Sequence, residues 1–320
     1  KSYLPRRRKL SGFPRYVVSS SRNFRDGSLS KCAQFVAMHQ TAYPASQSQV
    51  ISTHKKDESS KALALNADKG HYSVAEGIPE LRKAIADFMK RQFRVNINPS
   101  RVVVGPGTKS LIFTVFTMIN GHVIIPSPSW IGYIPQMKLL GKHFHILYTR
   151  PERDYRIQPQ DLEDLLVRLS HENQQHLLVL NNPHNPTGVN YSREELVEIV
   201  NVCRRNNTFI LADEIYALST YRFEDFTTLA SLFPAGTFVL NGLSKDRSAG
   251  GYRLGACILP QHQSKKLKSD FTKIAATVYT NVSTPTQYAA VTAYEPDEEI
   301  EEYFRITREI HRIMGRFSSE

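Results

Sequence analysis

The chain has 320 residues, 41% hydrophobic and 22% charged, which is typical of a globular protein with one large domain and a smaller lobe. Its apolar stretches are far shorter than the roughly 18 residues of a membrane helix, and its three cysteines lack ligand spacing, which argues against membrane, disulfide and metal roles. The net charge of +11 comes without any helix-turn-helix, zinc or RNA-binding motif, so we predict a basic surface and no nucleic-acid partner.

Residues 1–70 are poorly periodic and rich in serine, lysine and arginine, and we interpret them as an N-terminal arm with part of a small domain. The first acidic residue is Asp26, and several basic residues, among them Arg6, Arg7 and Arg8, come before it. This pattern is typical both of an organelle transit segment and of a basic arm lying over the protein. We expect a cytoplasmic protein, with a mitochondrial or plastid location as the alternative.

From Tyr72 onward, stretches with helical periodicity alternate with short apolar runs. Pro79 and Glu80 begin an amphipathic stretch that predicts a helix over 79–89. Predicted strands follow at 101–104, 122–125, 144–148, 176–180, 209–212, 238–240 and 254–259. Predicted helices lie near 108–119, 130–140, 159–169 and 192–205, and the chain from 261 is helical, ending in a charged helix over 297–316. This alternation predicts an α/β fold with a mostly parallel sheet between helices and a ligand beyond the carboxyl ends of the strands.

The most informative stretch lies at 241–255, where one predicted strand ends and the last one begins. Lys245 comes at the carboxyl end of the first strand, and Arg253 follows among glycines that let a ligand approach the backbone. A lysine amine can form an imine with an aldehyde, and a guanidinium can bind a phosphate through two parallel hydrogen bonds. Aldehyde and phosphate on one small molecule describe pyridoxal phosphate, although a single lysine is usually a solvated surface residue.

Two further segments come directly after predicted strands. Gly107, Thr108 and Lys109 open a helix, so their backbone N–H groups can bind a phosphate, although such loops are commonly simple tight turns. Trp130 is the only tryptophan, and its ring could stack on a flat heterocycle, although a lone tryptophan usually packs in a core. Neither segment is specific by itself.

Two polar side chains at strand ends complete the set. Asn185 lies in the turn 181–188, where two X-Pro bonds and a glycine impose a constraint that favours a functional role over a structural one. Asp213 ends the strand predicted at 209–212, and a buried carboxylate there needs a partner, for which a pyridinium nitrogen is suitable. A helix-capping acid is the structural alternative for this position.

Taken together, these segments resemble class I/II aminotransferases, which are pyridoxal-phosphate enzymes of fold type I. The resemblance extends from Tyr72 to Tyr294 and is carried by five motifs in the family's order. They are Gly107-Thr108-Lys109, Trp130, 182–188, 213–216 and Ser244-Lys245 with Arg253. The aspartate/prephenate aminotransferase branch is the most similar, because Asn-Gly precedes the lysine segment and tryptophan occupies the stacking position.

The resemblance implies the roles of the groups around the cofactor ring. Lys245 would hold pyridoxal 5′-phosphate as an imine and then move a proton between the substrate Cα and the cofactor. Asp213 would keep the ring nitrogen protonated, so that the ring can accept electrons. Asn185 and Tyr216 would bind the phenolic oxygen of the ring, and Trp130 would stack on it.

The phosphate and the assembly are likewise implied by the family. The phosphate would be bound by Arg253, the amides of 107–109 and the Thr108 hydroxyl, with a further bond from Ser244. The tyrosine that matches Tyr72 reaches the phosphate of the neighbouring subunit in the family, so a homodimer with a shared active site is expected. The implied fold is a mostly parallel seven-stranded sheet within a cofactor domain over 71–260.

Two departures from the family affect the substrate site. The family's glycine-proline-aspartate segment should precede Tyr72 by some thirty residues, but the sequence at 40–44 lacks the glycine. Residues 261–320 match only the helical connection to the small domain, and the arginine for the substrate α-carboxylate has no counterpart. We therefore expect a small lobe that is incomplete at the C-terminus.

These observations predict an aminotransferase acting on an L-amino acid, aspartate-like as the first guess, and a 2-oxo acid. A pyridoxal-phosphate lyase or synthase on the same fold, of the carbon–sulfur lyase or aminocyclopropane-carboxylate synthase type, is one alternative. A non-catalytic cofactor-binding relative is the other.

Overall fold

Short buried strands form one sheet in the computed structural model, which describes residues 69–170 and 174–319. The predicted N-terminal arm and the segment 40–44 lie outside the described residues. The strands are β1 Val102–Gly105, β2 Val123–Ser127, β3 Phe144–Tyr148, β4 Leu177–Asn181, β5 Phe209–Asp213, β6 Thr237–Gly242 and β7 Gly255–Ile258. Each begins within one residue of its predicted position, because the continuous apolar runs that marked them are the buried strands themselves.

The sheet is mostly parallel, as predicted, with the strand order β1-β7-β6-β5-β4-β2-β3. β7 is the exception, since it runs antiparallel to both β1 and β6. The parallel neighbours β4, β5 and β6 are in a register that sets Asn181 opposite Asp213 and Asp213 opposite Leu240. The carboxyl ends of these strands therefore bring distant parts of the sequence to one edge of the sheet.

Helices fill the connections between strands and continue to the end of the chain. The α-helices are α1 Pro79–Phe93, α2 Thr108–Met118, α3 Tyr133–Leu139, α4 Pro159–Leu169, α5 Arg193–Arg205, α6 Leu229–Leu232, α7 Leu243–Asp246, α8 Ser264–Val278, α9 Thr284–Tyr294 and α10 Glu298–Ser319. Their starts follow local chemistry: α1 has proline in its first turn, and Ser192 and Glu195 form a reciprocal capping box at α5. The helix predicted over 130–140 begins later, at Tyr133, so Trp130 lies in the preceding loop.

Two hydrophobic cores lie on the two faces of the sheet. Ile124 of β2 belongs to the core that includes α1, α4 and α5, whereas its neighbours Val123 and Ile125 belong to the core that includes α2 and α8. Successive strand residues point to opposite faces, so this division shows that helices cover the sheet on both sides. Among the described residues, no helix combines the length and the apolar character that a membrane span requires.

A buried ion pair directly after Lys245 anchors the short helix α7. Arg247 Nη1 lies 2.6 Å from Asp246 Oδ2, and the two side chains are only 6% and 3% exposed. The Arg247 guanidinium also lies 4.9, 5.0 and 5.1 Å from the ring centroids of Phe88, Tyr294 and Phe304. These rings come from α1, α9 and α10, so one guanidinium connects the lysine segment to three helices.

We expect Arg247→Met to lower the free energy of unfolding by about 3–5 kcal/mol, because it leaves the buried Asp246 carboxylate without its partner. The matched control is Lys83→Met, which breaks an exposed pair with Asp87 and should have little effect. Denaturant unfolding of the three proteins measures the difference. Equal stability of the two variants would contradict the anchoring role.

Candidate active site

Asn181 connects the ends of β4 and β5 to the turn that follows. Its Nδ2 donates to the carbonyl oxygen of Asp213 at 2.7 Å, and its Oδ1 accepts from the backbone N–H of Asn185 at 2.7 Å. Both bonds use a side chain that is buried at the strand end. The backbone N–H of Asn185 is thereby linked through Asn181 to Asp213, and Asn181 is a residue that the sequence did not single out.

The structure brings Asn185, Tyr216 and Lys245 together. Asn185 Nδ2 donates to the Tyr216 hydroxyl at 3.3 Å, and Lys245 Nζ lies 5.7 Å from the centroid of the Tyr216 ring. Tyr216 immediately precedes a short 3₁₀ turn over Ala217–Ser219, which places it just beyond the end of β5. An amide, a phenol and an amine thus meet at the carboxyl edge of the sheet.

Asp213 is a buried carboxylate with one oxygen bound and one free. Its Oδ2 accepts a hydrogen bond of 2.7 Å from the Tyr133 hydroxyl, whereas its Oδ1 has no hydrogen-bond partner among the described residues. Burial raises the pKa of Asp213, while the Tyr133 hydroxyl, the backbone N–H of Ile215 and the positive charge of Lys245 oppose that rise. A buried polar oxygen without a partner is costly, so Oδ1 is a site for a hydrogen-bond donor.

Glu214 caps a helix, which is the structural role that the sequence left open as the alternative for Asp213. Its two oxygens accept from the Thr228 hydroxyl at 2.7 Å and from the backbone N–H of Leu229 at 2.8 Å, at the start of α6. Burial raises the pKa of Glu214 to about 8, and the Thr228 and Leu229 bonds oppose that rise. The adjacent acids therefore separate into a helix-capping residue and a residue with a free oxygen.

A second polar region surrounds the start of α2. A Cβ on Gly107, whose φ is +82°, would lie 2.4 Å from Arg253 Nη2, so the loop and the guanidinium are in close contact. Gly107 provides no side-chain cap, which leaves the first N–H groups of α2, beginning with Thr108, available to an anion. Arg253 Nη1 donates to the carbonyl of Gly250 at 2.8 Å, and Gly250 in turn lies beside Ser244.

Trp130 lies between the two regions. Its ring meets the Tyr133 ring edge to face at 5.1 Å, and Lys109 Nζ lies 5.4 Å from its centroid. Tyr133 was missed in the sequence, because no local signal marks it as a partner of the distant Asp213. Trp130 therefore contacts both Tyr133, which binds Asp213, and Lys109 at the start of α2.

Tyr72 stands apart from this arrangement as an exposed side chain. It is 86% exposed, and within the described residues its side chain makes no hydrogen bond. The exposure is compatible with contact to another chain, but it brings Tyr72 into no described cluster. Its role in the site stays a prediction.

A cavity of about 940 Å³ opens beside the predicted lysine. Asn185, Tyr216 and Lys245 line it together with Arg222 and His311, the latter from α10. Burial lowers the pKa of His311. Arg222 and His311 were not predicted, and for His311 the reason is that α10 carries only a helical charge pattern in the sequence, with no sign that it faces a site.

The family model described as "Aminotransferase class I and II" matches residues 35–317. The chain belongs to this family, which confirms the resemblance found in the sequence. The matched range includes the lysine segment, the two polar regions and most of α10.

Individual relatives agree with the family. The aspartate aminotransferase of Bacillus subtilis (strain 168) is 32% identical over 255 residues, covering 76% of this chain and 63% of that protein. The aspartate aminotransferase of Bacillus sp. (strain YM-2) is 32% identical over 238 residues, covering 72% of this chain and 58% of that protein. The chain thus spans about three fifths of the length of these curated relatives.

Solved structures confirm the fold. The aspartate aminotransferase from Thermus thermophilus with maleate has a TM-score of 0.73 at 27% identity, covering 81% of this chain and 66% of that chain. The seven-stranded sheet is that of the fold type I aminotransferases, as the sequence predicted.

We expect Gly255→Ala to destabilise the protein by about 1–3 kcal/mol, because the new Cβ would lie 2.6 Å from Thr108 N and 2.8 Å from Gly107 C. Gly251→Ala is the matched control, since nothing lies within 4 Å of a Cβ there. Denaturant unfolding of both variants is the measurement. If Gly255→Ala is as stable as Gly251→Ala, β7 and the α2 loop are not in close contact.

Glu214 should make stability depend on pH. Because its pKa is raised to about 8 from an ordinary 4.5, the folded state holds a proton that the unfolded state releases between these values. Its contribution is therefore fully present below about pH 4.5 and is lost as pH rises towards 8, by about 1.4 kcal/mol per pH unit at most. Glu214→Gln should flatten the wild-type slope in unfolding experiments across this window, whereas the exposed Glu198→Gln should keep it. Identical slopes for wild type and Glu214→Gln would contradict the shift.

Proposed function

We propose that this protein is a pyridoxal-phosphate-dependent aminotransferase that exchanges an amino group between an L-amino acid and a 2-oxo acid. The observation that carries the proposal is the free Oδ1 of the buried Asp213, at the same sheet edge as Lys245. Family membership supports the reaction class, and relatives named aspartate aminotransferase support aspartate as the first substrate to test.

The residues fit the cofactor that the family implies. A protonated ring nitrogen would supply the donor that Asp213 Oδ1 lacks. The N-terminus of α2 and the guanidinium of Arg253 suit a phosphate dianion, with Thr108 and Ser244 as nearby hydroxyls. The face of the Trp130 ring suits a flat heterocycle.

Each residue would then do a definite task. Bound pyridoxal phosphate supplies an electron sink for the electrons released at the substrate Cα. The amine of Lys245 would hold the cofactor through its aldehyde group and would carry the proton of the substrate Cα. Asp213 would keep the ring nitrogen protonated, while Asn185 and Tyr216 would hydrogen-bond the phenolic oxygen.

The cavity wall suggests how a second acidic group on the substrate could be bound. Arg222 lines the cavity together with Lys245 and has no ion pair among the described residues, although Asp225 also lines it. A guanidinium in this position suits the side-chain carboxylate of a dicarboxylic substrate. We include Arg222 in the proposal as a substrate-binding residue.

The assembly belongs to the proposal as well. We propose residues 71–260 as the cofactor domain of a homodimer in which Tyr72 of each chain reaches the phosphate site of the other. The exposed position of Tyr72 supports this arrangement. The size of the purified protein in solution is its direct test.

We expect Lys245→Ala to lose the visible absorbance band of lysine-bound pyridoxal phosphate, together with its conversion to the amine form on addition of aspartate. Lys90→Ala, at an exposed position in α1, is the control and should keep both signals. Absorbance spectra with and without amino acid measure the two effects. A lyase would release oxo acid or ammonia repeatedly from the amino acid alone, and an unchanged spectrum in Lys245→Ala would overturn the assignment.

A further inference from the structure

The hydroxyl of Tyr133 is the side-chain donor that holds the Asp213 carboxylate. The bond to Oδ2 is 2.7 Å long, and the Tyr133 side chain is buried, with 1% of the residue exposed. Tyr133 begins α3, so its hydroxyl reaches Asp213 from a helix start eighty residues earlier in the chain. Neither Tyr133 nor Asp213 is among the residues that line the cavity beside Lys245.

The two oxygens of Asp213 therefore have different surroundings. Oδ2 is occupied by the Tyr133 hydroxyl, and Oδ1 has no partner within the described residues. A carboxylate that could rotate about its χ2 bond would present either oxygen, whereas a bond to one oxygen restricts which of them remains free. A positioned and charged Oδ1 is what a ring N–H requires.

We propose that Tyr133 is a positioning residue for the cofactor, which fixes the Asp213 carboxylate so that Oδ1 is presented to the ring nitrogen. This inference rests on the proposed function, because it assumes that pyridoxal phosphate is the ligand. Tyr133 acts through Asp213 and touches neither the substrate nor the reacting atoms.

Local packing and burial keep the Tyr133 ring in place and its hydroxyl protonated. Its ring packs edge to face against Trp130 at 5.1 Å, and a Cβ on the intervening Gly132 would lie 2.1 Å from the Trp130 ring, so the three residues pack tightly. Burial, together with the charge and the hydrogen bond of Asp213, holds the pKa of the Tyr133 hydroxyl well above its ordinary value. The hydroxyl stays protonated and remains a donor.

The hydroxyl also favours the charged form of Asp213. Burial raises the pKa of this carboxyl, and the Tyr133 hydrogen bond is the first effect that opposes the rise. Without the hydroxyl, Asp213 would be less well oriented and closer to the neutral acid, and both changes weaken its bond to a cationic ring nitrogen.

The test compares two probes on the full 320-residue chain freed of cofactor. One probe is pyridoxal 5′-phosphate, and the other is its 1-deaza analogue, in which C–H replaces the ring nitrogen. Tyr133→Phe removes the hydroxyl and keeps the ring. Tyr191→Phe is the matched control, since Tyr191 is also buried and its hydroxyl accepts from the backbone N–H of Ile157.

We expect Tyr133→Phe to weaken binding of pyridoxal phosphate by roughly tenfold and to leave binding of the deaza analogue unchanged. Tyr191→Phe should change neither affinity. Equal losses for both probes, or no loss for either, would show that Tyr133 has only a packing role and would overturn the inference. A wild-type chain that binds neither probe through Lys245 would instead overturn the proposed function itself.

If Tyr133→Phe does not fold, a second variant tests the inference. Tyr133→Phe combined with Asp213→Asn removes the buried charge that would have lost its donor. The inference predicts that this double variant folds and binds both probes as well as Asp213→Asn alone does, because the hydroxyl acts through the carboxylate. A double variant that fails to fold, or that binds both probes more weakly than Asp213→Asn, would contradict it.

Discussion

The buried carboxylate of Asp213 is the constraint on which the arrangement of the site depends. Burial favours its neutral form, whereas the Tyr133 hydroxyl, the backbone N–H of Ile215 and the charge of Lys245 favour its charged form. One oxygen is bound and the other is free among the described residues. A buried oxygen without a donor is costly, and a cationic ring nitrogen would remove that cost while also balancing the charge of the carboxylate.

The parallel sheet explains why these particular side chains meet. The in-register pairs Asn181–Asp213 and Asp213–Leu240 bring the ends of β4, β5 and β6 to one edge. Asn181 then holds the turn that carries Asn185, and the Asp246–Arg247 pair anchors the helix that carries Lys245. Positions far apart in the chain are thus held together by buried polar contacts rather than by their neighbours in sequence.

The sequence was informative wherever local chemistry marks a position. Continuous apolar runs located the strands, and glycines with prolines located the turns around Gly107 and Asn185, because both signals depend only on nearby residues. It failed where a role depends on a distant partner. Tyr133 resembles an ordinary aromatic residue at a helix start, and Glu214 and Asp213 are adjacent acids whose different roles depend on Thr228 and Tyr133.

By itself, the sequence determined the family, the order of helices and strands and the residue types available to a phosphorylated ring, since each follows from motifs and periodicity along the chain. Only the tertiary structure decided which oxygen of Asp213 is free, that β7 runs antiparallel and that α10 reaches the wall of the cavity. These features arise from contacts between segments that the fold brings together. No local pattern encodes them, because burial and hydrogen-bond partners are set by residues far away in the chain.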